Sequence, residues 1–445
     1  MIRLLKRIGR KVIPKQVFRL AQPYWHGTLA TLAHYYYGRP SDKLIVIGIT
    51  GTKGKTSTAH IIYQLLCNLG APTGLLSTAI IDTTGTEELN KYRMTQLSGA
   101  LTHKLLAQMR QVGKQYVVIE VSSEGLAQHR HYGINFDIAV FTNLTPDHIE
   151  AHGSFQAYKE AKGLLFKAIT KHKTTNSKKQ INSNIQKTII ANLDSEYGTY
   201  YVNHKADKHV SYGVQDTSAN LVAAQVATRP LQTEFSIFNF QFSINLPGLF
   251  NVYNVLAATG AAQALGFDLQ TISEAAQKLK PIPGRMEILQ TKPFTVLVDY
   301  AHEQASMKAL YDTVEQWEHK HIIHVFGATG GVRDKTRRTD LGTIAGNRGD
   351  ILVITDEDPF DEDPQAIIHD IAEAAVATGK KEIKQDLFRN PNRREAIAKA
   401  LSLAEPGDLV LVTGKGAEQK IARANGTYED WDDRVVTREL LANRS

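Results

Sequence analysis

Residues 43–70 constrain the fold more than any other stretch, and they read KLIVIGITGTKGKTSTAHIIYQLLCNLG. An apolar run typical of a buried strand leads into a glycine-rich loop, and the loop leads into a helical pattern that Gly70 closes. A loop of this kind binds phosphate, because backbone N–H groups and a helix N-terminus face the anion. The stretch therefore predicts an α/β domain that holds a nucleotide where the strand ends.

The loop departs from the common phosphate-loop pattern G-x-x-x-x-G-K-[ST]. That pattern requires a glycine where this chain has Ile49, and the glycine stands at Gly51 instead. The chemistry is retained, since Gly51 and Gly54 allow a close backbone approach and Lys55 supplies positive charge. The hydroxyl of Thr56 is placed to bind Mg²⁺. We therefore predict a nucleotide phosphate site.

The same alternation of strand-like and helical stretches continues along the chain. QYVVIEVSS and FDIAVFTNL predict further buried strands, and a second series, FTVLVDYA, HIIHVFGATGG, DILVITDEDP and DLVLVTGKG, follows PIPGRMEIL. This pattern predicts the α/β class: a central P-loop domain with a mostly parallel, doubly wound sheet, plus a C-terminal Rossmann-like α/β domain. The predicted domains are residues 44–283 and 284–445, after a short basic helical segment at 1–43. Residues 231–246 predict an antiparallel hairpin, and the lysine-rich residues 170–188 a solvated loop.

Composition narrows the choice of partners and compartment. The 52 basic and 45 acidic residues give a net charge of +7, which favours anionic small substrates over nucleic acid. The single cysteine, Cys67, excludes a disulfide framework, fits a reducing cytoplasm, and lies on an apolar pattern that predicts a buried thiol. No apolar stretch is long enough to span a membrane.

The first 20 residues contain seven Lys or Arg and no acidic residue. Leu4, Leu5, Ile8 and Val12 recur at helical spacing, which predicts a basic amphipathic helix. Two interpretations stay open for it: the helix packs on its own domain, or it makes peripheral contact with a membrane surface.

Three further residues are candidate functional residues, but each one alone gives only a weak prediction. Glu120 ends a buried strand, where a carboxylate either pairs with a cation or holds a metal ion. His148 follows another strand end, and a lone histidine is usually structural. Lys162, 14 residues later, is typical of a solvated helix lysine. Periodicity alone does not link the three.

Ten short motifs occur in a fixed order: GTKGKTS, EVSSEGLAQHR, FTNLTPDHIEAHG, YKEAKGLLF, GLFNVYNVLAA, PGRME, VDYAH, GGVRDKTRR, TDEDP and GKGAE. Together they resemble the Mur ligase family, from about Leu44 to the end of the chain. The resemblance implies an ATP-dependent amide ligase that adds an amino acid to a UDP-N-acetylmuramoyl-dipeptide, a peptidoglycan precursor, through an acyl phosphate. It also implies ATP and Mg²⁺ as cofactors, a UDP-sugar peptide and an amino acid as substrates, a cytoplasmic location and a monomer.

The resemblance assigns roles to individual residues. It implies that Lys55, His148 and Lys162 are catalytic, with Lys162 carbamylated, and that Mg²⁺ is held by Thr56, Glu120, His148 and Lys162. It implies ATP contacts from Gly51, Thr52, Lys53, Gly54, Lys55, Thr56, Ser57, Asn251, Asn254, Arg285, Asp299 and His302. It implies contacts with the UDP-sugar peptide from Thr95, Ser122, Gln128 and Arg130, and with the amino acid from Arg333, Asp358, Gly414 and Glu418.

This sequence also departs from the family pattern. The family's uridine-binding domain is expected to be replaced by the short basic segment at 1–43. Ala417 stands where histidine is usual, and MTQLSG replaces a Thr-Thr-Pro motif, so only Thr95 carries over. Phe360 stands where members that add diaminopimelate have arginine, in a loop made acidic by Glu357, Asp358 and Asp361. We therefore predict L-lysine or a similar basic amino acid as the substrate.

Two alternatives remain open on sequence grounds. Folylpolyglutamate synthetase shares the ligase core without a uridine domain, although EVSSEGLAQHR and TDEDP favour the first interpretation. A non-catalytic nucleotide-binding module is the other, and the joint retention of Lys55, Thr56, Glu120, His148 and Lys162 argues against it.

Overall fold

The computed structural model describes residues 15–92, 94–146, 152–331 and 334–443. The chain forms two compact units. The first unit comprises Met1–Val226, Glu234–Ile244 and Phe250–Leu279, and the second comprises Ala227–Thr233, Asn245–Leu249 and Lys280–Ser445. Each unit has a largely parallel sheet with helices, so the predicted α/β class is confirmed. The domain bounds at 43/44 and 283/284 stay predictions.

The first unit contains an eleven-stranded sheet in the order β11-β10-β9-β8-β7-β6-β1-β5-β2-β3-β4. Its strands are β1 (Ile45–Thr50), β2 (Thr73–Leu76), β3 (Ile80–Asp82), β4 (Glu88–Leu89), β5 (Tyr116–Glu120), β6 (Ile138–Phe141), β7 (Thr188–Asn192), β8 (Lys208–Gly213), β9 (Leu221–Thr228), β10 (Thr233–Ile237) and β11 (Phe240–Ile244). β1 runs parallel to both of its neighbours, β5 and β6. β10 and β11 are adjacent and joined by two residues, as in the predicted hairpin.

The helices of the first unit alternate with these strands. They are α1 (Lys15–Tyr36), α2 (Lys55–Asn68), α3 (Gly99–Gln111), α4 (Ser123–Ala127), α5 (Phe155–Ile169), α6 (Asn176–Ile181), α7 (Gly198–Val202), α8 (Leu249–Ala264) and α9 (Leu269–Ala276). Serine side chains cap α3, α4 and α5 by accepting a hydrogen bond from a backbone N–H in the first turn.

The core of the first unit packs around β1, whose six residues are all buried. Gly48 in the middle of this strand is required by a close approach, because a Cβ there would lie 2.8 Å from Leu165 and from Phe136. A fully buried strand flanked by parallel neighbours places its carboxyl end, and the loop after it, at the edge where ligands bind.

The second unit has a six-stranded sheet in the order β12-β13-β17-β14-β15-β16 and a separate two-stranded one. The strands are β12 (Glu287–Gln290), β13 (Thr295–Asp299), β14 (Ile322–Phe326), β15 (Ile351–Thr355), β16 (Leu387–Asn390) and β17 (Leu409–Thr413), with β18 (Lys420–Ala422) beside β19 (Tyr428–Asp430). Only the β12–β13 pair of the larger sheet is antiparallel among these strands. The helices are α10 (Gln304–Val314), α11 (Thr336–Arg348), α12 (Pro364–Val376), α13 (Arg393–Leu403) and α14 (Asp433–Ala442).

Two expectations from the sequence were wrong. Cys67 is exposed, in the last turn of α2, one residue after the last buried position of that helix. The lysine-rich stretch is not simply a solvated loop, since it contains α6 and two lysines that are buried. Lys178 and Lys187 both contact the carboxylate of Asp137, at 2.5 and 2.9 Å.

The basic segment at the start of the sequence is partly described. Residues 1–14, which include Leu4, Leu5, Ile8 and Val12, lie outside the described residues. The helix α1 that follows packs against α3 through small side chains. Ala30 approaches Gly99 so closely that a Cβ on that glycine would lie 2.3 Å from the Ala30 Cβ. Within the described parts of the chain, no helix is long and apolar enough to cross a membrane.

Candidate active site

The glycine loop, residues 51–57, follows β1 in the first unit and includes the first three residues of α2, as the sequence predicts. Gly51 admits no side chain, because a Cβ there would lie 1.9 Å from Oγ1 of Thr142. Gly54 has a φ of +78° and directly precedes the first turn of α2. The Lys55 ammonium donates to the Thr52 carbonyl at 2.8 Å. The N–H groups of Thr52 and Lys53 donate to the backbone carbonyl and side-chain oxygen of Asn143, both at 2.8 Å. The loop thus combines glycines, a helix N-terminus and Lys55, the elements of a phosphate site.

Glu120, at the end of β5, lies beside the glycine loop and is buried. The Thr56 hydroxyl donates to its two carboxylate oxygens at 3.0 and 3.1 Å. Thr78 donates to Oε2 of Glu120 through its backbone N–H at 2.7 Å and its hydroxyl at 2.8 Å. Thr78 was not singled out by any sequence motif. Hydroxyl and carboxylate oxygens are the ligands that Mg²⁺ prefers, so Thr56 and Glu120 fit the predicted metal ion.

Lys162, on α5, is buried rather than solvated. Its ammonium donates to the Gly51 carbonyl at 2.6 Å and lies 4.3 Å from the centroid of the Tyr158 ring. The Tyr158 hydroxyl in turn lies 3.0 Å from Oγ1 of Thr52. Lys162 is therefore brought to the glycine loop, and Tyr158, four residues earlier in the same motif, links α5 to it. Within the described residues no group of three His, Cys, Asp or Glu side chains could hold a metal ion.

The asparagines of α8 also reach this loop. Asn254 accepts a hydrogen bond from the Thr58 hydroxyl at 2.8 Å and donates to Oδ1 of Asn251 at 3.0 Å. A Cβ on Gly54 would lie 3.1 Å from Oδ1 of Asn254, so the asparagine and the loop are in close proximity. Nothing in the spacing of N-x-x-N alone predicts this contact across nearly 200 residues.

The residues predicted to bind the UDP-sugar peptide are joined by one residue that the sequence did not reveal. The side-chain oxygen of Gln96 accepts a hydrogen bond from the Ser122 backbone N–H at 3.2 Å. The backbone carbonyl of Gln96 accepts one from the Arg130 guanidinium at 3.0 Å. Thr95 and Gln96 line a small cleft that also contains Glu120. Gln128 lies half-buried at the end of α4. Of the four predicted residues, Thr95 lines this cleft with Glu120, and Gln96 connects the cleft to Ser122 and Arg130.

In the second unit, three predicted residues form one network through two that were missed. Lys415 donates to Asp358 at 2.9 Å and to Glu418 at 2.7 Å. The Tyr300 hydroxyl donates to Glu418 at 3.0 Å, and the Arg285 guanidinium stacks 4.0 Å above the Tyr300 ring. Tyr300 and Lys415 both belong to quoted motifs, VDYAH and GKGAE, but their spacing does not show that they meet.

Other predicted residues of the second unit form hydrogen bonds with backbone groups or adopt an unusual backbone conformation. Desolvation raises the pKa of the half-buried Asp299 carboxyl, which accepts hydrogen bonds from the N–H groups of Met286 and Ala301, both at 2.7 Å. Nδ1 of His302 lies 2.7 Å from the Tyr300 carbonyl. Gly414 has a φ of +111°, which favours glycine. The remaining predicted residues, His148 and Arg333, lie outside the described residues.

Comparison with known proteins decides the family. Residues 49–262 match the Mur ligase middle domain, and residues 284–416 match the Mur ligase glutamate ligase domain. The UDP-N-acetylmuramoyl-L-alanyl-D-glutamate–2,6-diaminopimelate ligase of Geobacillus thermodenitrificans is 36% identical over 421 residues, 94% of this chain and 82% of that protein. The chain belongs to the Mur ligase family.

Solved structures agree with this assignment. A structure of a UDP-N-acetylmuramoyl-L-alanyl-D-glutamate–2,6-diaminopimelate ligase has a TM-score of 0.61 at 28% identity, covering 90% of this chain and 79% of that one. A Mycobacterium tuberculosis folylpolyglutamate synthase has a TM-score of 0.66 at 18% identity, covering 87% and 92%. The second likeness shows the fold alone, whereas sequence identity places this Mur ligase chain with the peptidoglycan enzymes.

Proposed function

We propose that this chain is an ATP-dependent amide ligase that adds an amino acid to a UDP-N-acetylmuramoyl-dipeptide. The observation that carries the proposal is the convergence of Lys55, Thr56, Glu120 and Lys162 on the glycine loop of the first unit. A binding module that only held the nucleotide would not require a buried carboxylate and a buried lysine there. The enzyme is proposed to act in the cytoplasm as a monomer.

The chemistry follows from the charges that the site can balance. The γ-phosphoryl group of ATP passes to the substrate carboxylate, and the resulting acyl phosphate is attacked by the amino group of the incoming amino acid, which releases phosphate. Lys55 and the loop N–H groups stabilise negative charge on the phosphoryl oxygens. Thr56 and Glu120 would hold Mg²⁺, with His148 and Lys162 as the ligands that the family resemblance adds. When bound, the ion neutralises phosphate charge.

Lys162 is proposed to act as its carbamate. An ammonium repels a metal ion, whereas a carbamate presents an anionic oxygen of the type that Mg²⁺ binds. The buried position of Lys162 beside the Gly51 carbonyl supports the proposal, because a side chain buried there is held next to the phosphate site.

The acceptor is proposed to bind beside Thr95, Ser122, Gln128 and Arg130, and the amino acid near Arg333, Asp358, Gly414 and Glu418. Lys415 contacts the carboxylates of Asp358 and Glu418, and Arg285 stacks on Tyr300, whose hydroxyl donates to Glu418. The two carboxylates are therefore available to pair with the ammonium groups of an incoming amino acid. Lysine and diaminopimelate both have a distal ammonium group. The Geobacillus relative is named for diaminopimelate, whereas Phe360 in place of arginine favours lysine.

The test is a ligation assay with ATP, Mg²⁺, a UDP-N-acetylmuramoyl-dipeptide and each amino acid in turn. We expect phosphate release that requires both substrates, and a loss of about 100-fold or more for Lys55→Ala, since phosphate charge in a dry site has no substitute partner. Lys104→Ala, an exposed lysine on α3, is the matched control and should keep full activity. Turnover with pteroylglutamate and glutamate but not with the muramoyl substrate would refute the proposal.

A further inference from the structure

One face of α1 is exposed, apolar and without charge. The exposed residues of this helix from position 21 onward are Ala21, Tyr24, Trp25, Thr28, Leu29, Leu32, Tyr35 and Tyr36. Trp25, Leu32 and Tyr36 have 58%, 61% and 82% of their surface exposed. Trp25, Leu29, Leu32 and Tyr36 follow the spacing i, i+4, i+7, i+11, so they form one continuous stripe. A surface helix normally presents charged and polar residues to water, and this face presents none that is charged.

The opposite face of α1 is already used. Gly27, Ala30 and Ala33 are buried: Gly27 lies against His129 and Tyr132, and Ala30 lies against Gly99 of α3. The exposed stripe is therefore not the side that holds the helix to its unit. Among described residues, most other exposed large apolar side chains stand singly, as Leu231 and Val435 do. We call these eight exposed residues the apolar face of α1, and a continuous exposed apolar surface of this kind is typical of a binding surface.

The uneven distribution of charge along the sequence indicates what this face binds. Eight of the 52 Lys and Arg residues and none of the 45 Asp and Glu residues lie among the first 41 positions. The rest of the chain has 44 basic and 45 acidic residues, so the whole positive net charge comes from this part of the sequence. The stripe thus belongs to the one strongly basic part of an otherwise neutral chain.

We propose that α1 docks this enzyme onto an anionic lipid surface, with the apolar face at the headgroup level. Apolar area and positive charge are the two signals that together hold an amphipathic helix in a bilayer interface. Tyrosine and tryptophan suit that depth, because their rings are apolar and their polar atoms still reach water. A second copy of the chain is a poorer occupant, since α1 contains Lys15 and Arg19 and no acidic residue, so a two-fold dimer of this helix would pair like charges.

The test uses the full chain and sedimentation with vesicles. We expect binding to vesicles of phosphatidylglycerol and phosphatidylcholine, weak binding to phosphatidylcholine alone, and loss of binding as salt rises. The triple variant Trp25→Ser, Leu29→Ser, Leu32→Ser should bind at least tenfold more weakly. The matched control, Leu231→Ser with Val435→Ser, removes exposed apolar side chains elsewhere and should bind like the parent chain.

Solution ligase activity and the thermal transition separate docking from folding. Both should be unchanged in the triple variant, because its three side chains are exposed and make no part of the site. Equal vesicle binding by the triple variant and the parent chain would overturn the proposal, as would the absence of parent-chain binding to anionic vesicles. A dimer in sedimentation equilibrium that the triple variant abolishes would assign the face to a second copy instead.

Discussion

The glycine loop of the first unit and the acidic loop of the second, residues 355–360, look equally informative in the sequence, yet they behave differently in the structure. In the glycine loop the predicted residues meet one another directly, as Thr56 meets Glu120. In the acidic loop the carboxylates form ion pairs with cations distant in sequence: Asp358 pairs with Lys415, and Asp356 pairs with Arg423. Backbone conformation at a strand end is set locally, whereas the charge of a loop depends on which distant side chains fold against it.

The largest expected effect is the loss of activity when Lys162, beside the glycine loop, is replaced. Lys162→Ala should lower kcat/KM by about 1000-fold, because it removes the proposed anionic ligand beside the phosphate site. A short carboxylic acid that fits the gap should restore part of the rate. Lys167→Ala, on the same helix but exposed, is the control and should be active. A fully active Lys162→Ala enzyme would show that no step depends on this side chain.

The next effect concerns the stability of the acidic loop. Lys415→Met should lower the free energy of unfolding by about 3 kcal/mol, since it leaves the carboxylates of Asp358 and Glu418 without their shared cation in a largely buried place. Lys420→Met removes a more exposed ion pair with Asp430 and should cost less than about 1 kcal/mol. Denaturant unfolding measures both; equal losses would mean that Lys415 contributes no more than a surface lysine.

A smaller effect is a pH dependence. Burial raises the pKa of Glu357 to about 7, while the nearby Arg337 acts in the opposite direction. A raised folded-state pKa gives stability that is complete below about pH 4.5 and is lost as pH rises through 7. Between pH 5 and pH 8 the parent chain should lose about 2 kcal/mol more than Glu357→Gln, which cannot ionise. Parallel stability profiles for the two proteins would contradict the raised pKa.

The smallest effect tests what the acidic loop selects. With one acceptor, kcat/KM for lysine should exceed that for meso-diaminopimelate by about tenfold, with ornithine between them. Phe360→Arg should shift the ratio toward diaminopimelate, because a guanidinium can pair with its distal carboxylate. A parent chain that prefers diaminopimelate would mean that the lysine prediction is wrong and that another cation reaches that carboxylate.

The sequence predicts one class of feature well and another poorly. The strand, loop and helix around Gly51 and Lys55 follow from apolar patterning and glycine placement, so their fold and proximity were foreseeable. Gln96, Thr78, Tyr300 and Lys415 were not, because each joins segments distant in sequence through a contact with no characteristic spacing. The prediction that Cys67 is buried was wrong because an apolar helical pattern does not fix which residue of the last turn is exposed.

The carboxylate of Asp137 has a consequence for how the first unit exchanges its amide protons. It accepts the Val46 N–H of β1 as well as both buried lysines, so it joins the central strand to the stretch that reads as a loop. Opening that stretch would draw Lys178 and Lys187 away and leave the buried Asp137 carboxylate without its cations. Its amides should therefore exchange with deuterium on the timescale of the sheet itself, and the Lys-rich segment belongs to the same cooperative folding unit as the strand that leads into the glycine loop.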